Sequence, residues 1–383
     1  MTDLGQRGQA EEICRAIVIK RLFKSSATIS VVSWLLSSCA TQMQWPLIEG
    51  QHKESYSGEV RRKVDGQFLL YLPHGFTEHP ASKYPLLIFL HGSGESGFDI
   101  DKLKKHGPPQ FLDGRPDFPF IVASPQAPYP PRGFDPEELT LFLGQLLQRL
   151  PIDKQRVYLT GFSMGGYGTY NWASVHPEIF AAIAPVSGAW NPIDACKLRT
   201  VPIWVFHGAK DETVKPEGDE AMVEAIKECG GDIKFTEYAD VGHTSDPAYA
   251  DPQLYQWLLE HRLTDALVEQ INADRAARER RVSGQTPAAN AETTLRRLLT
   301  EFSAGTPDYS QMTSHFAAES RKQADKVRAR LTTLGTLDAL KYKGTERDGS
   351  DVYDAEFANG TAQLHLLLQA DGKISDASFD SGP

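Results

Sequence analysis

The chain has only four cysteines in 383 residues, Cys14, Cys39, Cys196 and Cys229. They are too few for a disulfide scaffold and too scattered for the closely paired spacing of a zinc site. The chain also lacks an excess of positive charge. Its 40 Lys+Arg against 50 Asp+Glu give a formal net charge of -10, which argues against a nucleic-acid footprint, because that needs a basic face. No run reaches the roughly 18 consecutive apolar residues of a membrane-spanning helix. Low-complexity tracts are missing too. With 40% hydrophobic and 23% charged residues the composition is that of a globular protein, and the length predicts two domains plus extras. No metal or organic cofactor is implied.

What is present begins with an address. Arg15, Lys20, Arg21 and Lys24 precede the short apolar run 27–36 (ATISVVSWLL), the layout of a secretory signal. The run ends in Leu36-Ser37-Ser38-Cys39, which resembles the lipobox of bacterial lipoproteins: an aliphatic residue, two small residues, then Cys. The resemblance implies a cut before Cys39, a lipid on its sulfur, and an exported chain held to a membrane surface. Residues 1–38 are then a signal peptide, and the polar stretch 39–57 is expected to be a tether.

The body alternates strand and helix signals. Leu86-Leu87-Ile88-Phe89-Leu90 is a continuous apolar run closed by His91-Gly92, as in a strand buried on both faces. Further strands are expected at 68–72, 120–123, 156–160, 180–186, 202–206 and 233–238. Helices are expected at 136–150, 164–175, 217–229 and 254–262, the first with Asp135 as N-cap. Such alternation predicts an α/β domain with a mostly parallel sheet and helices on both faces, over residues 58–262. A helical linker, 263–290, follows. From 291 on the expectation is a smaller α+β domain: helices at 291–302, 309–318 and 320–334, then a four-strand antiparallel meander. Asp348-Gly349, Asn359-Gly360 and Asp371-Gly372 supply its hairpin turns. The pattern is similar to cone-shaped accessory modules related to nuclear transport factor.

The chemistry converges on one serine. Gly161-Phe162-Ser163-Met164-Gly165 fits G-x-S-x-G between a strand and a helix, a sharp turn that lifts a Ser hydroxyl above the sheet edge. Ser is a weak nucleophile and needs a base and an orienting acid, which in this arrangement follow in the order Ser, Asp/Glu, His. Asp211 follows the strand at 202–206, and His243 follows the strand at 233–238. Glu212 and Asp240 are alternative acids; Asp240 lies only three residues from His243, which makes an approach behind the ring awkward. His91 and His207 each precede a Gly at a strand end and are read as hydrogen bonds shaping turns. The loop after the third strand, His91-Gly92-Ser93-Gly94-Glu95, is a candidate second half of an oxyanion hole, through the N–H of Ser93 or Gly94, with the N–H of Met164 as the other donor.

With these residues in place, the segment from Tyr71 to about His261 resembles α/β-hydrolases of the polyhydroxybutyrate-depolymerase and feruloyl-esterase type. The carrying pieces are 83–95 (KYPLLIFLHGSGE), Ser124-Pro125-Gln126-Ala127-Pro128, 161–166 (GFSMGG), Phe206-His207-Gly208 with Asp211, and Gly242-His243. The resemblance implies an α/β-hydrolase catalytic domain and a serine carboxylic-ester hydrolase working through an acyl-enzyme on a small-molecule or polymeric ester. A serine peptidase on the same machinery is the enzymatic alternative, and a binding role centred on the C-terminal domain is the other. Cys196 and Cys229 could form a bridge across about 33 residues in an oxidising compartment, or remain two buried thiols, which is the favoured reading of the pair.

Overall fold

In the computed structural model the described residues are 47–60, 63–79, 82–128 and 133–381. The signal segment, Cys39 and the first part of the expected tether lie outside them. The rest of that tether is corrected by the structure: from Gly50 on it is a strand, β1 (Gly50–Glu59), paired antiparallel with β2 (Lys63–Leu72) over ten residues. Its polarity disguised it. An edge strand needs few apolar side chains, and here Tyr56 alone is buried, against Phe142 at 4.7 Å and Phe68 at 6.1 Å between ring centroids.

The remaining strands of this sheet are β3 (Tyr84–Leu90), β4 (Ile121–Pro125), β5 (Ile152–Phe162), β6 (Ala182–Val186), β7 (Ile203–Gly208) and β8 (Ile233–Tyr238). The spatial order is β1-β2-β4-β3-β5-β6-β7-β8. The first two junctions are antiparallel and the others parallel. The apolar runs are the central strands, and Leu86 to Leu90 are wholly buried. Between these strands come α1 (Pro136–Arg149), α2 (Met164–Val175) and α3 (Glu217–Glu228), and after β8 come α4 (Asp246–Ala250) and α5 (Pro252–Glu260). Helices cover both faces, as strand alternation requires. Leu87 and Phe89 share a core with Tyr249, Leu254 and Tyr255 of α4 and α5, while the side chain of Leu90 lies against Gly168 of α2. Asp135 caps α1, accepting from the N–H groups of Glu137 and Glu138.

Cys196 and Cys229 are joined in a disulfide with Cα atoms 5.2 Å apart, so the expectation of two free thiols is overturned. Cys196 lies in a 3-10 turn, Pro192–Leu198, and Cys229 caps the end of α3. The two segments pack side by side, which sequence separation does not reveal.

The C-terminal part opens with α6 (Asp265–Ser283) and continues with α7 (Ala291–Ala304) and α8 (Ser314–Leu334). The two helices expected at 309–318 and 320–334 are one: no Gly or Pro interrupts 314–334, and Thr313 caps its start by accepting from the Phe316 N–H. Strands β9 (Leu337–Thr345), β10 (Asp351–Phe357), β11 (Gly360–Leu368) and β12 (Ile374–Ser381) form an antiparallel sheet in the order β12-β11-β10-β9. Leu295, Leu299 and Phe302 of α7 meet Tyr353, Leu364 and Ile374 of the sheet in its core. Helix α6 acts as a strut. Arg275 pairs with Glu178, Arg199 reaches Asp274 at 2.5 Å, and Arg281 donates to Asp351 at 2.7 Å. Glu228, beside the disulfide, accepts from the Ser314 N–H at 2.9 Å at the start of α8.

Candidate active site

The turn from β5 into α2 is crowded and strained. Ser163 has φ 54° and ψ -116°, a conformation that non-glycine residues adopt only when their surroundings impose it. The surroundings are backbone. A Cβ on Gly165 would stand 1.9 Å from the Leu90 carbonyl oxygen, and one on Gly161 would stand 2.3 Å from the Gly165 oxygen. On the other side a Cβ on Gly166 would meet the Val186 oxygen at 2.8 Å, and the Ser163 N–H donates to that same oxygen at 3.0 Å. The turn is wedged between the ends of β3 and β6, and glycine is what fits.

Three loops at the carboxyl ends of parallel strands bring the sequence candidates together. Ser163 Oγ lies 2.9 Å from His243 Nε2, and His243 Nδ1 lies 2.6 Å from Asp211 Oδ2. A carboxylate accepts only, so Nδ1 carries the ring proton and Nε2 is left to accept from the Ser163 hydroxyl. Asp211 Oδ1 is held by the N–H groups of Thr213 and Val214, both at 2.9 Å. Its side chain is fully buried, and that of His243 is 21% exposed. Burial alone would raise the Asp211 carboxyl. The His243 ring and the two backbone donors outweigh it and keep the carboxyl below its ordinary value, so it stays ionised. The His243 ring rests on Phe162, 4.8 Å between centroids.

The other acid candidates are elsewhere. Asp240 is exposed and paired with Lys210 at 2.6 Å, and Glu212 is exposed. Ser93 and Gly94 lie in a 3-10 turn, Ser93–Glu95, directly after β3, and Met164 is the first residue of α2. The contact of Gly165 with the end of β3 sets the two segments side by side. That loop is held from beneath. His91 Nδ1 donates to the Gly92 oxygen at 2.6 Å, while Nε2 accepts from the Ala127 N–H at 2.8 Å. Burial pushes the His91 pKa down to about 4, so this ring is neutral. Gln126 Nε2 donates to the carbonyls of Glu95 and Asp99, both at 2.8 Å. Gln126 belongs to a motif that the sequence displayed without disclosing its use.

A cleft of about 510 Å³ opens beside Ser163, lined by Phe134, Met164, Tyr167, Asn171 and Trp190. Sequence reasoning assigned none of these aromatic residues to the site, because they come from three separate segments. It also missed Asp219 and Tyr170. Asp219 looks like one of several acids in the first turn of α3, yet it is wholly buried against His207. Among the described residues no cluster of His, Cys, Asp and Glu could hold a metal ion.

Comparisons with known proteins agree with this geometry. Residues 143–281 match the model of the Dienelactone hydrolase family. Feruloyl esterase B of Piromyces equi is 32% identical over 209 residues, 50% of this chain and 38% of its own length. A bifunctional acetylxylan esterase/xylanase of Neocallimastix patriciarum is 36% identical over 95 residues, 24% of this chain and 14% of its own. This chain therefore spans well under two thirds of these relatives. A solved thermostable esterase superposes with a TM-score of 0.49 at 28% identity, over 55% of this chain and 63% of that one. The strand order and the serine turn make residues 50–263 an α/β-hydrolase-type domain, and parts of it are similar to the esterases named above.

Proposed function

We propose that the protein hydrolyses carboxylic esters through an acyl-enzyme on Ser163. The observation that carries this reading is the hydrogen-bonded line Ser163–His243–Asp211 at a strained turn. Ser163 Oγ attacks the ester carbonyl as His243 Nε2 takes its proton. Asp211 holds the ring in the tautomer that leaves Nε2 free and stabilises the imidazolium. The N–H of Met164 and that of Ser93 or Gly94 receive the charge that develops on the carbonyl oxygen, a reading supported by the packing of Gly165 of α2 against the end of β3, which the 3-10 turn follows. His243 returns its proton to the leaving alkoxide, then activates a water that releases the acid. Three aromatic rings beside the serine suit a flat or apolar acyl group, and an esterase activity is named for both relatives, a feruloyl esterase and an acetylxylan esterase/xylanase. The test is turnover of p-nitrophenyl acyl esters, feruloyl esters and short peptides by the full chain. Ester hydrolysis absent from a folded preparation would sink the reading.

The same reading places the enzyme outside the cytoplasm, lipid-anchored at Cys39. Leu36-Ser37-Ser38-Cys39 and the basic residues before it support this, and a disulfide between the two cysteines of the body suits an oxidising compartment. Cys39→Ser should leave unprocessed precursor and no lipidated N-terminus by mass spectrometry.

A further inference from the structure

Behind Asp211 lies a second histidine–carboxylate pair that the hydrolytic steps do not use. His207 and Asp219 have no exposed side-chain surface, and His207 Nδ1 lies 2.7 Å from Asp219 Oδ2. His207 Nε2 lies 2.8 Å from the Val214 carbonyl oxygen and 3.4 Å from Asp211 Oδ2. Asp219 Oδ1 accepts from the Tyr170 hydroxyl at 2.8 Å.

Proton counting fixes the state of the ring. Both neighbours of Nε2 are acceptors with no proton to give, so Nε2 carries a hydrogen. One further proton lies between Nδ1 and Asp219. The Tyr170 hydroxyl and the Gly188 N–H both donate to Asp219, which favours its carboxylate form and leaves the proton on the ring. We propose that His207 is a buried imidazolium that acts as a positioning residue for Asp211, fixing its loop and offsetting part of its charge. This rests on the hydrolytic reading of Ser163, His243 and Asp211.

The geometry gives the pair two effects. By holding the Val214 carbonyl, His207 holds the peptide segment whose Thr213 and Val214 N–H groups grip Asp211 Oδ1. By standing 3.4 Å from Asp211 Oδ2, the oxygen that faces His243, it reduces the negative charge that His243 experiences. A base facing a less negative acid sheds its proton at lower pH, so Ser163 stays activated further into the acid range. The pair also ties together three elements of the site: Tyr170 on α2, the helix that follows the serine; His207 at the end of β7; and Asp219 on α3. The titratable groups facing His207 are Asp211, Asp219, Tyr170 through Asp219, His243 through Asp211, and Tyr167, which feels both carboxylates. Burial alone would lower the His207 pKa, but the Asp219 hydrogen bond and charge outweigh it and raise it above the ordinary histidine value. The Asp219 carboxyl is itself raised by burial. Both directions describe one proton that the pair retains.

The test uses the full chain and two readouts. Nitrogen-15 chemical shifts of the histidine rings need no activity. One ring with both nitrogens protonated is expected at pH 7.5, and it should be lost in Asp219→Asn. The second readout is the pH dependence of Ser163 inactivation by a fluorophosphonate, which does not depend on the ester chosen. In His207→Gln, whose amide can still donate to Val214, the acid limb should move up by about one pH unit, with a smaller upward shift in Asp219→Asn. All histidine rings neutral at pH 7.5 in the wild type, or an unmoved or lowered acid limb in folded His207→Gln, overturns the proposal. Should His207→Gln fail to fold, the wild-type spectrum and Asp219→Asn still decide. Failure of the fluorophosphonate to label a wild type that shows the doubly protonated ring would count against the hydrolytic reading and leave the imidazolium standing.

Discussion

The glycines of the serine turn and Gly372 of a C-terminal hairpin answer opposite constraints of geometry. Gly161, Gly165 and Gly166 have ordinary backbone angles and no room: their missing Cβ atoms would lie 1.9 to 2.8 Å from backbone that cannot yield. Gly372, in the turn between β11 and β12, has φ 86° and open space around it. The first region is shaped by other strands pressing on it, and within 161–166 the residue with positive φ is Ser163, the one with chemistry to do. The second is shaped by its own sequence. The difference teaches where tertiary structure overrides local preference, and each of the following substitutions widens or closes it.

The largest effect is expected from Gly165→Ala. The new methyl would overlap the Leu90 carbonyl oxygen of a buried central strand, and either α2 or β3 must move. The expected cost exceeds about 4 kcal/mol, enough to remove most soluble folded protein. A normal thermal midpoint for this variant would show that the turn is looser than its geometry states.

Ser163→Ala keeps the turn and removes the nucleophile. Ester turnover should fall by at least about a thousandfold, about 4 kcal/mol in barrier, with the fold intact by circular dichroism. His243→Ala should fall as far, because the three residues act as one unit. Activity within tenfold of wild type in a folded Ser163→Ala protein would contradict the mechanism.

The disulfide restrains the hydrolase domain where it meets the C-terminal one. Opening a loop of sequence separation 33 should cost about 3–4 kcal/mol by loop entropy, read as a lowered urea midpoint in Cys196→Ala/Cys229→Ala. Because Glu228 holds the start of α8, protection of the α8 amide hydrogens from exchange should fall as well. Unchanged protection would mean that the two domains are joined mainly through α6.

That helix has its own pH signature. Burial alone would raise the Glu178 carboxyl, but hydrogen bonds from His176 and Arg275 outweigh it and bring it down to about 2. A lowered folded-state pKa means that the ion pair stabilises above the unfolded value, about 4.3, and that this contribution is lost as pH falls from there toward 2. Glu178→Gln should lose about 1–2 kcal/mol at pH 7, a value reduced for the partial exposure of the pair, and should differ little from wild type near pH 2. A constant gap between the two proteins from pH 7 to pH 2 would argue against the ion pair.

Much of this arrangement was legible in the sequence, for identifiable reasons. Buried central strands read as apolar runs because nothing polar fits there, as in Leu86 to Leu90. The Asp-Gly and Asn-Gly turns are local, so the hairpins could be placed from three dipeptides. Ser163, Asp211 and His243 follow a chain order that the fold itself imposes. The edge strand β1 was not legible, since one covered face and ten polar-rich residues imitate a tether. The pairing of Cys196 with Cys229 was not legible either, because it depends on a helix end returning to a particular turn. Asp219 was hidden by its neighbours: Glu217 and Glu220 in the same turn make it look like one more charge favouring a helix start, and only the register of α3 turns it inward.

The smallest effect sharpens the comparison most. At Gly372 the N–H donates to the Gln369 oxygen at 2.9 Å, and Asp371 Oδ1 accepts from the Lys373 N–H at 3.0 Å. Apart from its own residue and its two chain neighbours, nothing lies within 4 Å of where a Cβ would be. Alanine there meets no neighbour and suffers only the left-handed backbone, a cost of about 1 kcal/mol. Asparagine, which tolerates that region better, should recover about half of it. Both variants should keep full ester turnover, since the turn belongs to the C-terminal sheet. A loss at Gly372→Ala as large as at Gly165→Ala would mean that the hairpin, too, is held by contacts from outside, and the contrast between the two regions would disappear.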